Sequence, residues 1–248
     1  MLAIIGGSRL GELARLEIER SERPATPYGD PSGPLVFGRL AGRDVVFLAR
    51  HGSEHGIPPH RVNYRANVWA LRHVGAARAI LAVAAVGGIR ADLQPGDLVV
   101  PDQIIDYTWG RPSTYHEGLG SVVTHVDFSQ PYDEELRRKA LRAAQALSLP
   151  CAGSAVYAAT QGPRLETAAE IDRLERDGAD VVGMTAMPEA VLARELHVPY
   201  AAINVVANYA AGRGQPPRAI SLAEIHAVLD PAMQRVLALL ERMLADDD

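Results

Sequence analysis

Residues 79–89 read Ala-Ile-Leu-Ala-Val-Ala-Ala-Val-Gly-Gly-Ile and form the most apolar stretch of the 248-residue chain. The aliphatic and β-branched residues at its start predict a buried strand, which we place at Ala79–Ala84. The small residues from Ala84 to Gly88 predict either a plain turn or a backbone whose N–H groups can face an anion. The stretch is far shorter than the roughly 18 apolar residues that indicate a membrane span, so no membrane partner is expected.

Similar short apolar runs recur along the chain and alternate with longer stretches in which apolar residues repeat at helical spacing. This alternation is typical of an α/β fold. Strands are predicted at Leu2–Ile5, Val45–Ala49, Ala79–Ala84, Asp97–Val100, Ala155–Ala159, Asp180–Val182 and Tyr200–Val206. Helices are predicted at Val62–Leu71 with Trp69 buried, at Asp133–Leu147 and at Leu222–Met243. Because no proline- or serine-rich linker, charge block or internal repeat divides the chain, we expect residues 1–248 to form one domain.

The composition argues against several classes of function. Because 25 Lys and Arg stand against 30 Asp and Glu, the formal net charge is −5, the wrong sign for a protein that binds nucleic acid by neutralising its phosphates. The single cysteine, Cys151, cannot form an intramolecular disulfide or a multi-thiolate zinc site, and the eight histidines show no metal-ligand spacing. The first residues lack the basic region of a signal peptide. We therefore expect a cytoplasmic protein without a bound metal.

Polar residues follow several of the predicted strands, and each allows two interpretations. Ser8 follows two glycines, but its segment matches neither the dinucleotide fingerprint nor the P-loop, so a simple turn is equally consistent. Arg50 and His51 follow the second predicted strand, where paired guanidinium donors suit an oxyanion, although such pairs are more often ordinary loop features. Glu166 is predicted in the first turn of a helix, a common place for a capping acid.

Taken together, these motifs resemble, in chain order, the trimeric purine nucleoside phosphorylases, and are most similar to their methylthioadenosine phosphorylase branch. The motifs are Ile4-Ile-Gly-Gly-Ser, Ala49-Arg-His-Gly, Val62-Asn-Tyr-Arg-Ala-Asn-Val-Trp-Ala-Leu, Gln94-Pro-Gly-Asp, Gly162-Pro-Arg-Leu-Glu-Thr and Gly183-Met-Thr-Ala-Met-Pro-Glu-Ala. The resemblance covers nearly the whole chain. It implies a central twisted mixed β-sheet flanked by helices, the nucleoside phosphorylase fold. It also implies cleavage of a nucleoside by inorganic phosphate as co-substrate, without a metal or organic cofactor.

The resemblance assigns the phosphate and the ribose to particular residues. By similarity, the phosphate would be held by Ser8, Arg50, His51, the Ala84–Ala85 backbone and Thr185. Met184 would pack against the ribose. Breaking the glycosidic bond builds positive charge on the sugar and negative charge on the departing base, so a fixed phosphate and donors at the purine edge would both stabilise the transition state.

The identity of the base follows from departures from the methylthioadenosine branch. That branch carries an aspartate at the position of Asn208, another acid at Ala210 and a small hydroxyl residue at Glu166. The 6-oxopurine enzymes of the family instead carry Asn and Glu at the positions of Asn208 and Glu166. The Asn208 amide would bind O6 and a protonated N7 and assist departure of the base, and Glu166 would accept a hydrogen bond from N1–H. Leu165 and Ala210 are further candidates for contact with the substrate.

The 5′ end of the substrate and the subunit interface are also predicted by similarity. Leu222 and Ile225 lie where the methylthioadenosine branch has apolar residues, although Leu222 could equally serve core packing. Two long polar stretches, 108–130 and 210–218, are expected near the site or a subunit contact. His125 in the first of them matches a histidine that the family supplies from the neighbouring subunit, which implies a homotrimer.

The oxopurine and methylthio inferences together predict S-methyl-5′-thioinosine as the preferred substrate, with hypoxanthine and 5-methylthioribose 1-phosphate as products. The oxopurine inference is the stronger of the two. A mismatched hydrogen-bond array discriminates by about 10⁴-fold or more, whereas an apolar pocket rejects a hydroxyl by only about 10²-fold. A general inosine and guanosine phosphorylase, a methylthioadenosine phosphorylase, a hydrolytic nucleosidase and a catalytically inactive nucleoside-binding protein remain as alternatives.

Overall fold

The computed structural model of the chain describes residues 1–7, 15–118, 122–214 and 220–246. Its strands are β1 (Leu2–Gly6), β2 (Glu17–Glu22), β3 (Leu35–Leu40), β4 (Arg43–Ala49), β5 (Ala79–Gly88), β6 (Leu98–Val99), β7 (Gln103–Asp106), β8 (Cys151–Ala152), β9 (Val156–Ala159), β10 (Val181–Gly183) and β11 (Tyr200–Tyr209). Its helices are α1 (Tyr64–His73), α2 (Glu134–Ala146), α3 (Ala168–Arg176), α4 (Ala186–Glu195) and α5 (Leu222–Ala245). Every predicted strand and helix coincides with an observed one. The structure adds the strands β2, β3, β7 and β8 and the helix α4.

All described strands belong to one 11-stranded mixed sheet. The main path runs β2-β3-β4-β1-β5-β10-β9-β7, and β11 pairs with β5 and β6. Alternate residues of β11 contribute to two different apolar cores, Ala202 to one and Ile203 to the other. Helices α1 and α4 pack on the first core, and α2 and α5 pack on the second. The sheet is therefore covered by helices on both faces, which confirms the predicted α/β class with a central mixed sheet.

A gap in strand pairing along β5 positions the candidate site. On one edge of β5, β1 pairs with residues 79–82 and β10 pairs with residues 87–88, while β11 runs along the opposite edge. In the described part of the chain no strand pairs with residues 83–86 on the β1 edge. The strand continues beyond its predicted end at Ala84 because β11 and β10 supply pairing partners as far as Gly88. A stretch of central strand is thus left open to other groups.

Strand β11 also runs farther than predicted. It extends past Val206 to Tyr209, and its register with β5 shifts between Val206 and Asn208. Such a bulge leaves one residue unpaired and changes the direction of the side chains that follow. Asn208 therefore lies within the strand, immediately after a β-bulge at Ala207, whereas the sequence suggested that it follows the end of the strand.

Two local predictions are wrong. Trp69 on α1 is only half-buried, and its ring lies against that of His73 with centroids 4.7 Å apart. Glu166 lies before α3, because Thr167 is the N-cap and forms a capping box with Glu170. The acid that caps the helix is therefore Glu170, which leaves the Glu166 carboxylate outside the helix.

Among the described helices, none is both long enough and apolar enough to cross a bilayer.

Candidate active site

A cavity of about 420 Å³ opens at the gap along β5. Its wall includes most of the predicted site residues, namely Arg50, His51, Ala84, Ala85, Leu165, Glu166, Met184, Thr185, Asn208, Ala210 and Ile225. Residues from distant parts of the chain therefore meet in one place. The cavity is within the usual size range of small-molecule sites.

Two predicted residues that the structure describes, Leu222 and His125, are not part of this cavity wall. Leu222 is 68% exposed, and the apolar wall is instead formed by Ile220 and Ile225. His125 is exposed in the long loop. Ser8 lies outside the described residues, although the preceding Gly7 lines the cavity.

The open edge of β5 presents backbone groups to the cavity. Both backbone groups of a strand residue point to the same edge, and successive residues alternate between the two edges. The carbonyl of Val83 faces the gap, since it accepts a hydrogen bond of 3.3 Å from Arg50 Nη1. The N–H of Ala85 therefore faces the same gap, and that of Ala84 faces β11. Of the two predicted backbone donors, Ala85 is the one directed at the open edge.

Arg50 is held by a carboxylate that sequence reasoning did not identify. Its Nε and Nη2 donate to Glu189 Oε2 and Oε1 over 2.7 and 2.8 Å, and both side chains are essentially inaccessible to solvent. Burial by itself would lower the pKa of Arg50, but the Glu189 charge and its hydrogen bonds raise that pKa above its ordinary value. Each terminal nitrogen of Arg50 keeps one N–H beyond these bonds and the one to Val83, enough for paired donors to an oxyanion.

His51 is neutral at physiological pH, with a defined tautomer. Burial is the main cause that lowers its pKa to about 4, and repulsion from Arg50 is the second cause. Nδ1 lies 2.7 Å from the carbonyl oxygen of Ile57, and because a carbonyl can only accept, Nδ1 carries the proton. The other ring nitrogen, Nε2, is then a hydrogen-bond acceptor in the neutral form. The imidazole also lies against His55, with ring centroids 4.5 Å apart.

The backbone of Thr185 is held by Tyr157, a buried tyrosine of β9. The backbone N–H of Thr185 donates to the Tyr157 hydroxyl over 3.3 Å. Tyr157 is 1% exposed and occupies space next to Gly183, where an added Cβ would lie only 2.1 Å from the hydroxyl oxygen. Thr185 is the N-cap of α4 but makes no side-chain capping bond. Its hydroxyl is therefore not used to cap the helix.

The base-reading candidates Asn208 and Glu166 lie in the same cavity wall. Asn208 is half-buried, and its Nδ2 donates to the carbonyl oxygen of Tyr209 over 2.7 Å. Glu166 accepts a hydrogen bond of 2.6 Å at Oε1 from the hydroxyl of Thr160. Asn208 keeps one amide hydrogen and its Oδ1 for a ligand, and Glu166 keeps its Oε2. These groups suit a ligand edge that carries both hydrogen-bond donors and acceptors.

Sequence reasoning missed Glu189, Tyr157 and Thr160. Glu189 could have been noticed, because it is a charged residue within the apolar run Ala186–Leu192. Tyr157 and Thr160 look like ordinary strand and loop residues.

Among the described residues, no group of three or more His, Cys, Asp or Glu side chains is placed to hold a metal ion.

Comparison with known proteins shows the family to which the chain is similar. The family model described as the phosphorylase superfamily matches residues 1–245. A probable S-methyl-5′-thioinosine phosphorylase of Pseudomonas syringae pv. tomato is 52% identical over 243 residues, 98% of each chain. A 6-oxopurine nucleoside phosphorylase of Pyrococcus furiosus is 48% identical over 85% of this chain and 80% of its own. The structure of methylthioadenosine phosphorylase from Schistosoma mansoni with adenine superimposes with a TM-score of 0.93, at 32% identity, over 98% of this chain and 90% of that one.

Proposed function

The chain belongs to the phosphorylase superfamily, and from this premise we propose that it cleaves S-methyl-5′-thioinosine with inorganic phosphate. The products are hypoxanthine and 5-methylthioribose 1-phosphate. The observation that carries the proposal is the shared cavity, in which Asn208 and Glu166 lie with the buried Arg50. A purine-reading pair and an oxyanion-binding group thereby face one space.

The phosphate end is built from donors that converge on the gap in the sheet. Arg50 contributes an N–H from each terminal nitrogen, and Ala85 contributes its backbone N–H. Thr185 contributes its hydroxyl. His51 is neutral, with Nε2 as an acceptor, so it suits a phosphate that carries one proton. A phosphate oxygen held here attacks C1′ of the ribose while the C1′–N9 bond breaks and its electron pair moves onto the purine.

The base end discriminates between 6-oxo and 6-amino purines. The amide of Asn208 donates to O6 and accepts from a protonated N7, and the free Oε2 of Glu166 accepts from N1–H. The bond from the Asn208 amide to O6 strengthens as negative charge develops on the departing base. Adenine has no N1 proton and presents an amino group in place of O6. It would leave buried groups unpaired, at a cost of about 1–3 kcal/mol each.

The 5′ end and the oligomer are part of the same proposal. Ile220 and Ile225 supply an apolar wall, which favours a methylthio group over a hydroxyl.

We propose a homotrimer in which His125 of each subunit completes the neighbouring site. Val122 and Val123, close before His125, are 81% and 76% exposed, so two adjacent apolar side chains are available for such a subunit contact.

A general 6-oxopurine nucleoside phosphorylase is the second candidate. The relative from Pyrococcus furiosus bears that name at 48% identity, and the same Asn208 and Glu166 pair would serve inosine and guanosine equally well. The two candidates differ only in the 5′ pocket. An activity on methylthioadenosine is the third candidate, and the hydrogen-bonding pattern of Asn208 and Glu166 opposes it.

One substrate panel tests these alternatives. Methylthioinosine, methylthioadenosine, inosine and guanosine are each incubated with the protein, with and without phosphate, and the released base is quantified. We expect the highest kcat/KM with methylthioinosine, and only when phosphate is present. Equal or faster turnover of inosine would reject the methylthio preference. Base release at full rate without phosphate would indicate a hydrolase, and no release from any nucleoside would indicate a binding protein.

A further inference from the structure

Arg111 is a buried cation that the proposed reaction does not use. It belongs to the long loop after β7 and is 9% exposed. Its Nη1 donates to the carbonyl oxygens of Met184 and Met187 over 2.8 and 2.6 Å. Its Nη2 donates to the carbonyl oxygens of Thr160 and Gln161 over 3.1 and 2.9 Å. Four backbone carbonyls therefore surround one guanidinium.

These carbonyls belong to two segments that both contribute residues to the cavity wall. We call residues 160–166 the base-side segment, because it ends at Glu166, and residues 183–187 the ribose-side segment, because it contains Met184 and Thr185. The segments are also joined directly, since Thr160 donates its backbone N–H to the carbonyl of Gly183 over 2.8 Å. Arg111 extends that junction and lies between the two segments.

Arg111 holds the peptide between Met184, the candidate for contact with the ribose, and Thr185, the candidate for binding phosphate. The carbonyl of the Met184–Thr185 peptide accepts from Arg111, and the N–H of the same peptide donates to the Tyr157 hydroxyl. Both polar groups of this peptide are thus held, so the plane of the peptide is fixed. On the base side, Arg111 Nε donates to Gln161 Oε1 over 3.2 Å. The neighbouring Thr160 donates its hydroxyl to Glu166.

The hydrogen bonds indicate why this residue is an arginine. Among the described residues, Arg111 has no carboxylate partner within ion-pairing distance. Its hydrogen bonds therefore hold backbone carbonyls in position and do not neutralise a carboxylate. A guanidinium is planar and presents five donors in fixed directions, whereas an ammonium presents three donors around a point charge. A lysine at this position could not bind both segments with the same spacing.

We propose that Arg111 is a positioning residue that sets the distance and orientation between the base-side and ribose-side segments. The proposal rests on the proposed function, because it assumes that one nucleoside spans both segments. Its consequence is kinetic. A displacement of about 1 Å between reacting groups can cost about 100-fold in rate, so loss of the bridge lowers turnover even where the fold persists.

The test compares Arg111→Lys with a matched control, Arg137→Lys. Arg137 is also buried, at 5% exposure, and it also donates to backbone carbonyls, those of Pro101, Val100 and Gly153. It does not line the cavity. We expect both variants to lose stability, but only Arg111→Lys to lose about 100-fold in kcat/KM for the nucleoside. Equal losses of activity in the two variants would overturn the proposal, as would unchanged activity in Arg111→Lys.

Chemical rescue provides a readout that a purely structural role would not affect. In Arg111→Gly, added guanidinium should restore part of the lost turnover, and methylammonium at the same concentration should not. Equal recovery with both cations, or no recovery in a variant that is folded by circular dichroism, would contradict a specific bridging role. Each assay uses the nucleoside that the unmodified protein cleaves fastest. The unmodified protein thus tests the proposed function, and the ratio of variant to unmodified activity tests Arg111.

Discussion

Arg50 and Glu189, 139 residues apart in the chain, form a buried ion pair with two parallel hydrogen bonds of 2.7 and 2.8 Å. Their side chains are 1% and 0% exposed. The Tyr200 hydroxyl donates to the same carboxylate over 2.9 Å. Glu189 therefore compensates the buried charge of Arg50 and fixes its guanidinium beside the open edge of β5.

Glu189→Gln should destabilise the protein strongly. The substitution keeps the size of the side chain but leaves Arg50 as a buried charge without a partner, which costs about 3–5 kcal/mol. The free energy of unfolding, measured by urea titration without phosphate, should fall by this amount. Tyr200→Phe is the control, because it removes one hydrogen bond to Glu189 and keeps both charges, at a cost of about 1 kcal/mol. Equal losses in the two variants would show that the charge pair is not the main contribution.

His51 should make stability depend on pH in the acidic range. Its pKa is lowered to about 4 in the folded protein, from an ordinary value of 6.5. Between these values the unfolded chain binds a proton that the folded protein does not, so the free energy of unfolding decreases as pH falls, by up to about 1.4 kcal/mol per pH unit. Above the ordinary value, the contribution is constant.

The measurement is the difference in this slope between the unmodified protein and His51→Gln. The variant lacks the titrating group and should show a shallower decrease below the ordinary histidine pKa. His226→Gln is a suitable control, since it removes a histidine from the exposed face of α5. A slope in His51→Gln that matches the unmodified protein would mean that His51 is not held neutral in the folded state.

Gly183→Ala should impair both stability and activity. Its Cβ would lie 2.1 Å from the Tyr157 hydroxyl oxygen, so Tyr157 or the end of β10 must move. Overpacking of this kind costs about 1–3 kcal/mol, and the hydrogen bond from the Thr185 N–H is displaced with it. Gly33→Ala is the control, because its Cβ would meet nothing closer than 3.9 Å. Thermal unfolding and the KM for phosphate are the measurements, and a Gly183→Ala variant indistinguishable from Gly33→Ala would contradict the expectation.

Asn208→Asp should shift preference from 6-oxopurine to 6-aminopurine nucleosides. A carboxylate repels O6 of hypoxanthine but accepts from the amino group of adenine. The kcat/KM for methylthioinosine should fall by about 100-fold or more, and that for methylthioadenosine should fall less or rise. Glu166 limits the gain, because adenine offers it no N1–H. An unchanged order of preference would remove Asn208 from the base-reading role.

Much of the fold was predictable because its signals are local. The strands β1, β4, β5 and β11 are buried apolar runs, which are recognisable without knowledge of their neighbours. Strand β2 escaped prediction because its sequence, Glu-Ile-Glu-Arg-Ser-Glu, is exposed at every position, so it carries no burial pattern. The end of β5 was misjudged because pairing with β10 and β11 extends the strand through Gly87 and Gly88, residues that locally favour a turn.

The residues of the candidate site carry weaker local signals than the strands do. Arg50, His51, Thr185, Asn208 and Glu166 were found by resemblance to a family, since no short-range pattern distinguishes them from loop or cap residues. Glu166 is the clearest example. Locally it resembles a capping acid, and only the observed capping box, which uses Glu170 instead, shows that its carboxylate is not committed to the helix.

The sequence by itself determined the α/β class, most of the strands and the chemical types of the residues available for binding, because these depend on composition and on the periodicity of buried side chains. Only the tertiary structure decided that Glu189 holds Arg50, that Tyr157 holds Thr185 and that Arg111 joins two segments of the cavity wall. These contacts link residues 139, 28 and up to 76 positions apart. Their geometry follows from how strands and helices pack, and no pattern within a short stretch of sequence encodes it.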